Sequence, residues 1–301
     1  MEQTRARYPD ETGVIERDGV HVAWECYGDG SPTILLLPTW SIIHSRHWKG
    51  QIPYLARHYR VVTFDGRGNG RSDRPTTVAA YDDTEFAADA IAVLDATGTD
   101  RAIIAGLSMG GGLALQIAVR YPDRVSGAIF VGASVGLGDP IPRPGIVPFH
   151  EVPPTFDGWS RYGAAGWRDD WGAFAEFFFS HVFNEPHSTK QIEDAVGWAL
   201  DTDPESIITA EDAAYLTPLE GDGTSEKAAL GYARRVRCPT LVIHGDADAI
   251  THVTSGVRLA AALGGRLEIL GGSGHDPLGR DPVRINLLFR DFIERIARSS
   301  R

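Results

Sequence analysis

Cysteine is nearly absent from this chain, with two in 301 residues, Cys26 and Cys238. Two isolated thiols make neither a dense disulfide framework nor a cluster with metal-ligand spacing, so both read as small buried hydrophobes. Long apolar runs are missing as well. No stretch of about 18 apolar residues occurs, and residues 1–10 lack an apolar signal-type core, so a soluble, cytoplasmic protein is expected, with no membrane partner. Positive charge is in deficit: 29 Lys and Arg stand against 40 Asp and Glu, a net charge of -11. That balance argues against nucleic acid and against anionic membrane surfaces.

The chain is long enough to bury a large core, as one α/β domain with an insertion or as two domains. Residues 14–17 and 20–27 flank Asp18-Gly19, a strong hairpin signal. Residues 33–37 and 61–64 are apolar runs of the kind buried in parallel sheets, with a helical segment around 48–58 between them. A helix capped at Asp82, Asp83 or Thr84 runs to Gly98, and further strands are predicted at 102–105, 128–131, 240–244 and 267–270. Asp281-Pro282 opens a terminal helix through Leu287, Phe292 and Ile296.

Between 135 and 236 this alternation fails. The stretch begins rich in proline and then turns aromatic, with Trp159, Tyr162, Trp167, Trp171, Phe174, Phe178 and Phe183 spaced for helices that Pro186, Pro204 and Pro218 punctuate. We read residues 1–134 and 237–301 as the main domain and 135–236 as a mostly helical insertion. Most of its rings should form its own core, and a few should face a cleft.

The sharpest signal is Gly106-Leu-Ser108-Met-Gly110, which joins the strand at 102–105 to a helix ending before Tyr121-Pro122. Only a tight turn fits there. Its serine backbone is strained, small residues are needed two positions to either side, and the hydroxyl is lifted to the helix N-terminus, where negative charge is favoured. Ser108 is therefore the candidate nucleophile. The same short pattern recurs at Gly132-Ala-Ser134-Val-Gly136, but prolines follow and no helix can start, so Ser134 reads as a loop serine. The glycine-rich stretch Asp65-Gly-Arg-Gly-Asn-Gly-Arg-Ser-Asp73 has no Lys-Thr pair or helix start after it and reads as a turn, not a phosphate cradle.

A serine needs a base, and the base an orienting carboxylate. Among ten histidines, His275 alone sits in a turn-forming loop, Gly271-Gly-Ser-Gly-His-Asp-Pro277, directly after the last predicted strand. His244 reads as a strand residue in the core, and Asp276 as a turn residue. The loop after 240–244 offers Asp246 and Asp248, either of which could reach an imidazole.

Together these motifs resemble the α/β-hydrolase superfamily, whose chain order Ser, Asp, His they follow. The resemblance implies a mostly parallel eight-stranded sheet flanked by helices, with the insertion as a helical cap over the active site. It also implies Asp248, the second aspartate of its turn, as the triad acid, and the backbone N–H groups of Trp40 and Met109 as the oxyanion hole. Family members commonly carry His-Gly where this chain has Pro38-Thr39-Trp40. Serine rather than aspartate at the nucleophile position separates the chain from the dehalogenase branch.

The expectation is a serine hydrolase acting on a small or medium carboxylic ester or lactone, with no cofactor and no metal. Its substrate wall is expected from Thr39, His44, Trp159, Trp167, Trp171 and Phe178. Carbon-carbon bond hydrolysis or acyl transfer with the same triad, and a non-catalytic ligand-binding module on a hydrolase scaffold, are the alternatives.

Overall fold

The hairpin at Asp18-Gly19 starts the sheet. In the computed structural model, which describes residues 7–213, 215–216 and 225–299, β1 (Glu11–Arg17) and β2 (Val20–Tyr27) pair antiparallel around that turn. Both turn residues have positive φ, 51° for Asp18 and 76° for Gly19, as a two-residue hairpin requires. The parallel strands follow: β3 (Thr33–Leu36), β4 (Arg60–Phe64), β5 (Ala102–Leu107), β6 (Val125–Val131), β7 (Thr240–Gly245) and β8 (Arg266–Leu270). Among the described residues these eight form one sheet in the order β1-β2-β4-β3-β5-β6-β7-β8, parallel from β4 onward.

Side-chain alternation sorts the strands into two apolar faces. Leu35, Val62, Ile104, Phe130 and Val242 pack under the helices Asp83–Ala96, Met109–Arg120 and Thr254–Leu263. Ile34, Val61, Ile103, Ile129 and Ile243 pack on the other face against Trp48 and the terminal helix Pro282–Ser299. Each such side chain contributes about 1.5–3 kcal/mol on burial. The terminal helix presents Ile285, Phe289, Phe292 and Ile293 to the sheet at helical spacing, which turns Leu287 outward.

Three elements differ from the sequence reading. The segment around 48–58 is a 3₁₀ turn, Ser45–Gly50, and a single helical turn, Ile52–Leu55, in which Trp48 is pinned by its indole N–H donating to Leu37 O at 2.9 Å. Strand β6 starts at Val125, which pairs with Ala102; the register shifts past Ser126, and pairing resumes at Gly127, where the missing side chain admits Ile296. The helix Ser225–Ala233 falls inside the 135–236 insertion by number, yet Ala228, Ala229 and Tyr232 pack into the main core. An alanine-rich face lets a helix lie close against Met109–Arg120.

Residues 135–157 form no helix or strand, and the insertion's other helices follow them: Ala164–Asp169, Trp171–Val182, Thr189–Ala199 and Pro204–Glu211. Its rings gather into a third cluster that also takes in Trp40, Ile42 and Ile43 from the loop after β3. Pro218, one of the predicted helix breaks, lies outside the described residues. The glycine-rich loop after β4 is tied up internally. Asp65 Oδ1 accepts from the Ser45 hydroxyl, Gly68 N donates to Asp73 O, and buried Arg67 makes a bidentate pair with Asp89 at 2.6 and 2.9 Å. No described helix is long and apolar enough to cross a membrane, and both cysteines are free.

Candidate active site

The loops that matter all leave the carboxyl ends of parallel strands. Strand β5 enters the helix Met109–Arg120 through Ser108, whose φ of 54° and ψ of -119° fall where only glycine rests freely. Such a backbone costs about 1–3 kcal/mol and persists only where its surroundings over-determine it. Ser108 N donates to Val131 O at 2.9 Å, and Ser108 O accepts from Gly111 N at 2.9 Å and Ser134 N at 3.1 Å. The flanking glycines are steric requirements. A Cβ on Gly106 would lie 2.0 Å from Gly110 O, and one on Gly110 would lie 2.6 Å from Pro38 O.

His275, in the loop after β8, is buried and its Nδ1 lies 2.8 Å from Asp248 Oδ2. Asp248 comes from the loop after β7, and its Oδ1 accepts from Ile250 N and Thr251 N, both at 2.8 Å. Of the two aspartates in that loop, Asp246 is exposed and caps Gly272 N instead. Burial by itself raises the Asp248 carboxyl, but the imidazoles of His275 and His244 overcome this and hold it well below the usual carboxylate range. His244 Nε2 lies 3.1 Å from Asp248 Oδ2 and 2.9 Å from Thr251 O, so this strand histidine braces the carboxylate from behind. Asp276 caps the turn Pro277–Arg280, and burial pushes it up to about 6.

The end of β6 brings serine and imidazole to one rim. Ser108 hangs from Val131 O, and the His275 ring packs on the next residue, its Nδ1 3.4 Å from where a Gly132 Cβ would stand. In this structure the Ser108 hydroxyl bonds to Ser134 Oγ at 3.2 Å and not to His275; Ser134 Oγ in turn meets Thr251 Oγ1 at 2.5 Å. Rotation about χ1 moves a serine hydroxyl among three staggered wells, and catalytic hydrogen bonds commonly tighten only when substrate is present. Met109 opens the helix, where an N–H has no intrahelical acceptor. Trp40 sits on a loop held to the elbow by Thr39 Oγ1, which donates to Leu107 O at 2.8 Å.

A cavity of about 460 Å³ lies over Ser108, with Trp40, Met109, Tyr162 and Phe178 among its walls. The other residues expected at the substrate wall sit elsewhere. Thr39 lines a smaller apolar cavity behind the loop. His44 faces Asp201 at 3.4 Å, and burial pushes its imidazole down. Trp167 is wholly buried among the insertion's rings, Trp171 donates its indole N–H to Ala199 O, and Trp159 covers Arg143.

Polar cavity residues that the sequence reading does not place there are Ser134, read as a loop serine, and Asp139, Arg143, Glu211, Thr251 and His252. Only Ser134 carried a signal, its repeat of the glycine-serine pattern at a strand end. Glu211 accepts from the Tyr162 hydroxyl at 2.8 Å, and burial raises its carboxyl. Among the described residues no group of three or more His, Cys, Asp or Glu side chains is arranged to hold a metal.

A family model for the α/β hydrolase fold matches residues 32–282, and the chain belongs to that family. It is an α/β-hydrolase with esterase, lactonase and carbon-carbon hydrolase relatives. It is 29% identical over 248 residues to a 2-hydroxymuconate semialdehyde hydrolase of Pseudomonas sp. strain CF600, covering 82% of this chain and 81% of that one. Among solved structures it resembles Est816, described as an N-acyl homoserine lactone degrading enzyme, at 26% identity and a TM-score of 0.74, covering 93% and 100% of the two chains. The esterase RhEst1 of Rhodococcus sp. ECU1013 is similar at 25% identity and a TM-score of 0.71, covering 93% and 97%.

Proposed function

We propose that this protein hydrolyses a small or medium carboxylic ester or lactone through an acyl-enzyme on Ser108. The observation that carries the reading is the His275–Asp248 pair at 2.8 Å, on the same strand end from which the strained Ser108 elbow hangs. As Ser108 Oγ attacks the carbonyl carbon, its proton passes to His275 Nε2, and Asp248 steadies the imidazolium. The carbonyl oxygen gains negative charge and accepts from the N–H groups of Met109 and Trp40. His275 returns the proton to the leaving alcohol, then takes one from water as hydroxide attacks the acyl carbon, and gives it to Ser108 Oγ as the bond from Oγ to the acyl carbon breaks and the acid departs.

Two features support the roles. Asp248 Oδ1 accepts from two backbone N–H groups and His244 stands behind Oδ2 at 3.1 Å, so the carboxylate has one orientation to offer His275. Trp40 N donates to no acceptor among the described residues, which leaves it free for a substrate oxygen. The test is turnover of p-nitrophenyl butyrate. Ser108→Ala and Asp248→Asn should each lower kcat/KM by about 10³-fold or more while the fold, by circular dichroism, is unchanged. Wild-type turnover that survives Ser108→Ala refutes the reading.

A further inference from the structure

The cavity over Ser108 is less apolar than its aromatic sequence context suggests, and its charge is lopsided. Arg143, on the irregular stretch that opens the insertion after β6, lines it together with Ser108. One face of the guanidinium is covered by the Trp159 ring, with Cζ 4.6 Å from the ring centroid. One of its terminal nitrogens donates to Ile250 O at 2.9 Å. A guanidinium has five N–H donors in one plane, so stacking fixes that plane while leaving most of its edge to a ligand.

No carboxylate among the described residues neutralises Arg143. Asp139, on the same wall, is taken by Arg258 at 2.7 Å. Glu211 Oε1 accepts from the Tyr162 hydroxyl at 2.8 Å, and burial raises its carboxyl above the usual range. His252, also on the wall, turns its Nδ1 to Thr254 Oγ1 at 2.9 Å. Among the described residues, the cavity thus holds one oriented cation with no carboxylate in ion-pair contact.

Resting on the hydrolase reading above, we propose that Arg143 binds a carboxylate on the substrate. The favoured ester or lactone is then an acidic one. A space of about 460 Å³ is roughly 10 Å across if taken as a sphere, so a spacer of a few carbon atoms separates the carboxylate from the scissile carbonyl. The planar fork matches a carboxylate bidentately, which a neutral ester tail cannot exploit. Arg143 is on this account a specificity residue and takes no part in bond breaking.

The experiment compares mono-p-nitrophenyl adipate with p-nitrophenyl hexanoate, each corrected for spontaneous hydrolysis. The expected result is a kcat/KM at least about tenfold higher for the adipate, a preference that Arg143→Gln removes mainly through KM while the hexanoate rate stays within about twofold. Arg143→Lys, which keeps the charge and most of the packing on Trp159, should retain part of the preference. It decides the matter if Arg143→Gln fails to fold. A wild-type preference for hexanoate, or a preference that neither substitution changes, overturns the proposal and leaves the hydrolase reading standing. Turnover of neither ester, with no fluorophosphonate adduct on Ser108, overturns both.

Discussion

Asp276 shows how tightly the site constrains single residues. It follows the proposed base, is buried, and has its carboxyl pushed up to about 6 from an ordinary value near 3.8. The folded state therefore binds this proton more tightly than the unfolded chain does. Stability should decline as pH rises from about 4 to about 6 and stay at the lower level above that. Asp276→Asn keeps a cap acceptor for Gly279 N without the charge, and should flatten that part of the profile and raise stability at pH 7 by about 2–3 kcal/mol in urea denaturation. An unchanged profile would remove Asp276 as its source. At this scale Ser108 and His275 were legible from sequence because each stands in a loop beside a recognisable strand. Arg143, Glu211 and Tyr162 were not, because they reach the cavity only once the insertion has folded back over the sheet.

The strand-to-helix elbow is the element on which the site turns. Its glycines answer a steric demand that the sequence pattern announced, and the structure gives it a size: a Gly106 Cβ would meet Gly110 O at 2.0 Å. Gly106→Ala should lower stability by about 1–3 kcal/mol, since backbone must move to relieve the contact, and should abolish the proposed ester hydrolysis even in the folded fraction. Full activity in a stably folded Gly106→Ala protein would show that the elbow geometry is not needed. Strands were legible as apolar runs because both faces of this sheet are covered. Ser126-Gly127 hid the start of β6 because the register shifts past Ser126 and neither residue brings an apolar side chain. Helix Ser225–Ala233 was assigned to the insertion because small residues carry little pattern to say which core they join.

Across the whole molecule, Trp40 ties the two layers together. Its backbone belongs to the loop after β3, while its ring sits among the insertion's rings, 5.1 Å from Phe178 and 5.7 Å from Trp167 between centroids. The proposed oxyanion donor is thus anchored by the segment that covers the cleft. Trp40→Ala keeps the N–H but removes this anchor, and should cost about 3–5 kcal/mol of stability and lower kcat more than it raises KM. A loss confined to stability would separate the ring cluster from catalysis. The order of elements was readable along the chain, but this coupling was not, since it joins residues more than a hundred positions apart.

Ser108, not its neighbour in the second glycine-serine pattern, is the proposed nucleophile. Fluorophosphonate treatment followed by peptide mass mapping tests it directly. One adduct per chain is expected, on Ser108, persisting in Ser134→Ala and disappearing in Ser108→Ala. An adduct on Ser134, or none on an enzyme that hydrolyses esters, would contradict it.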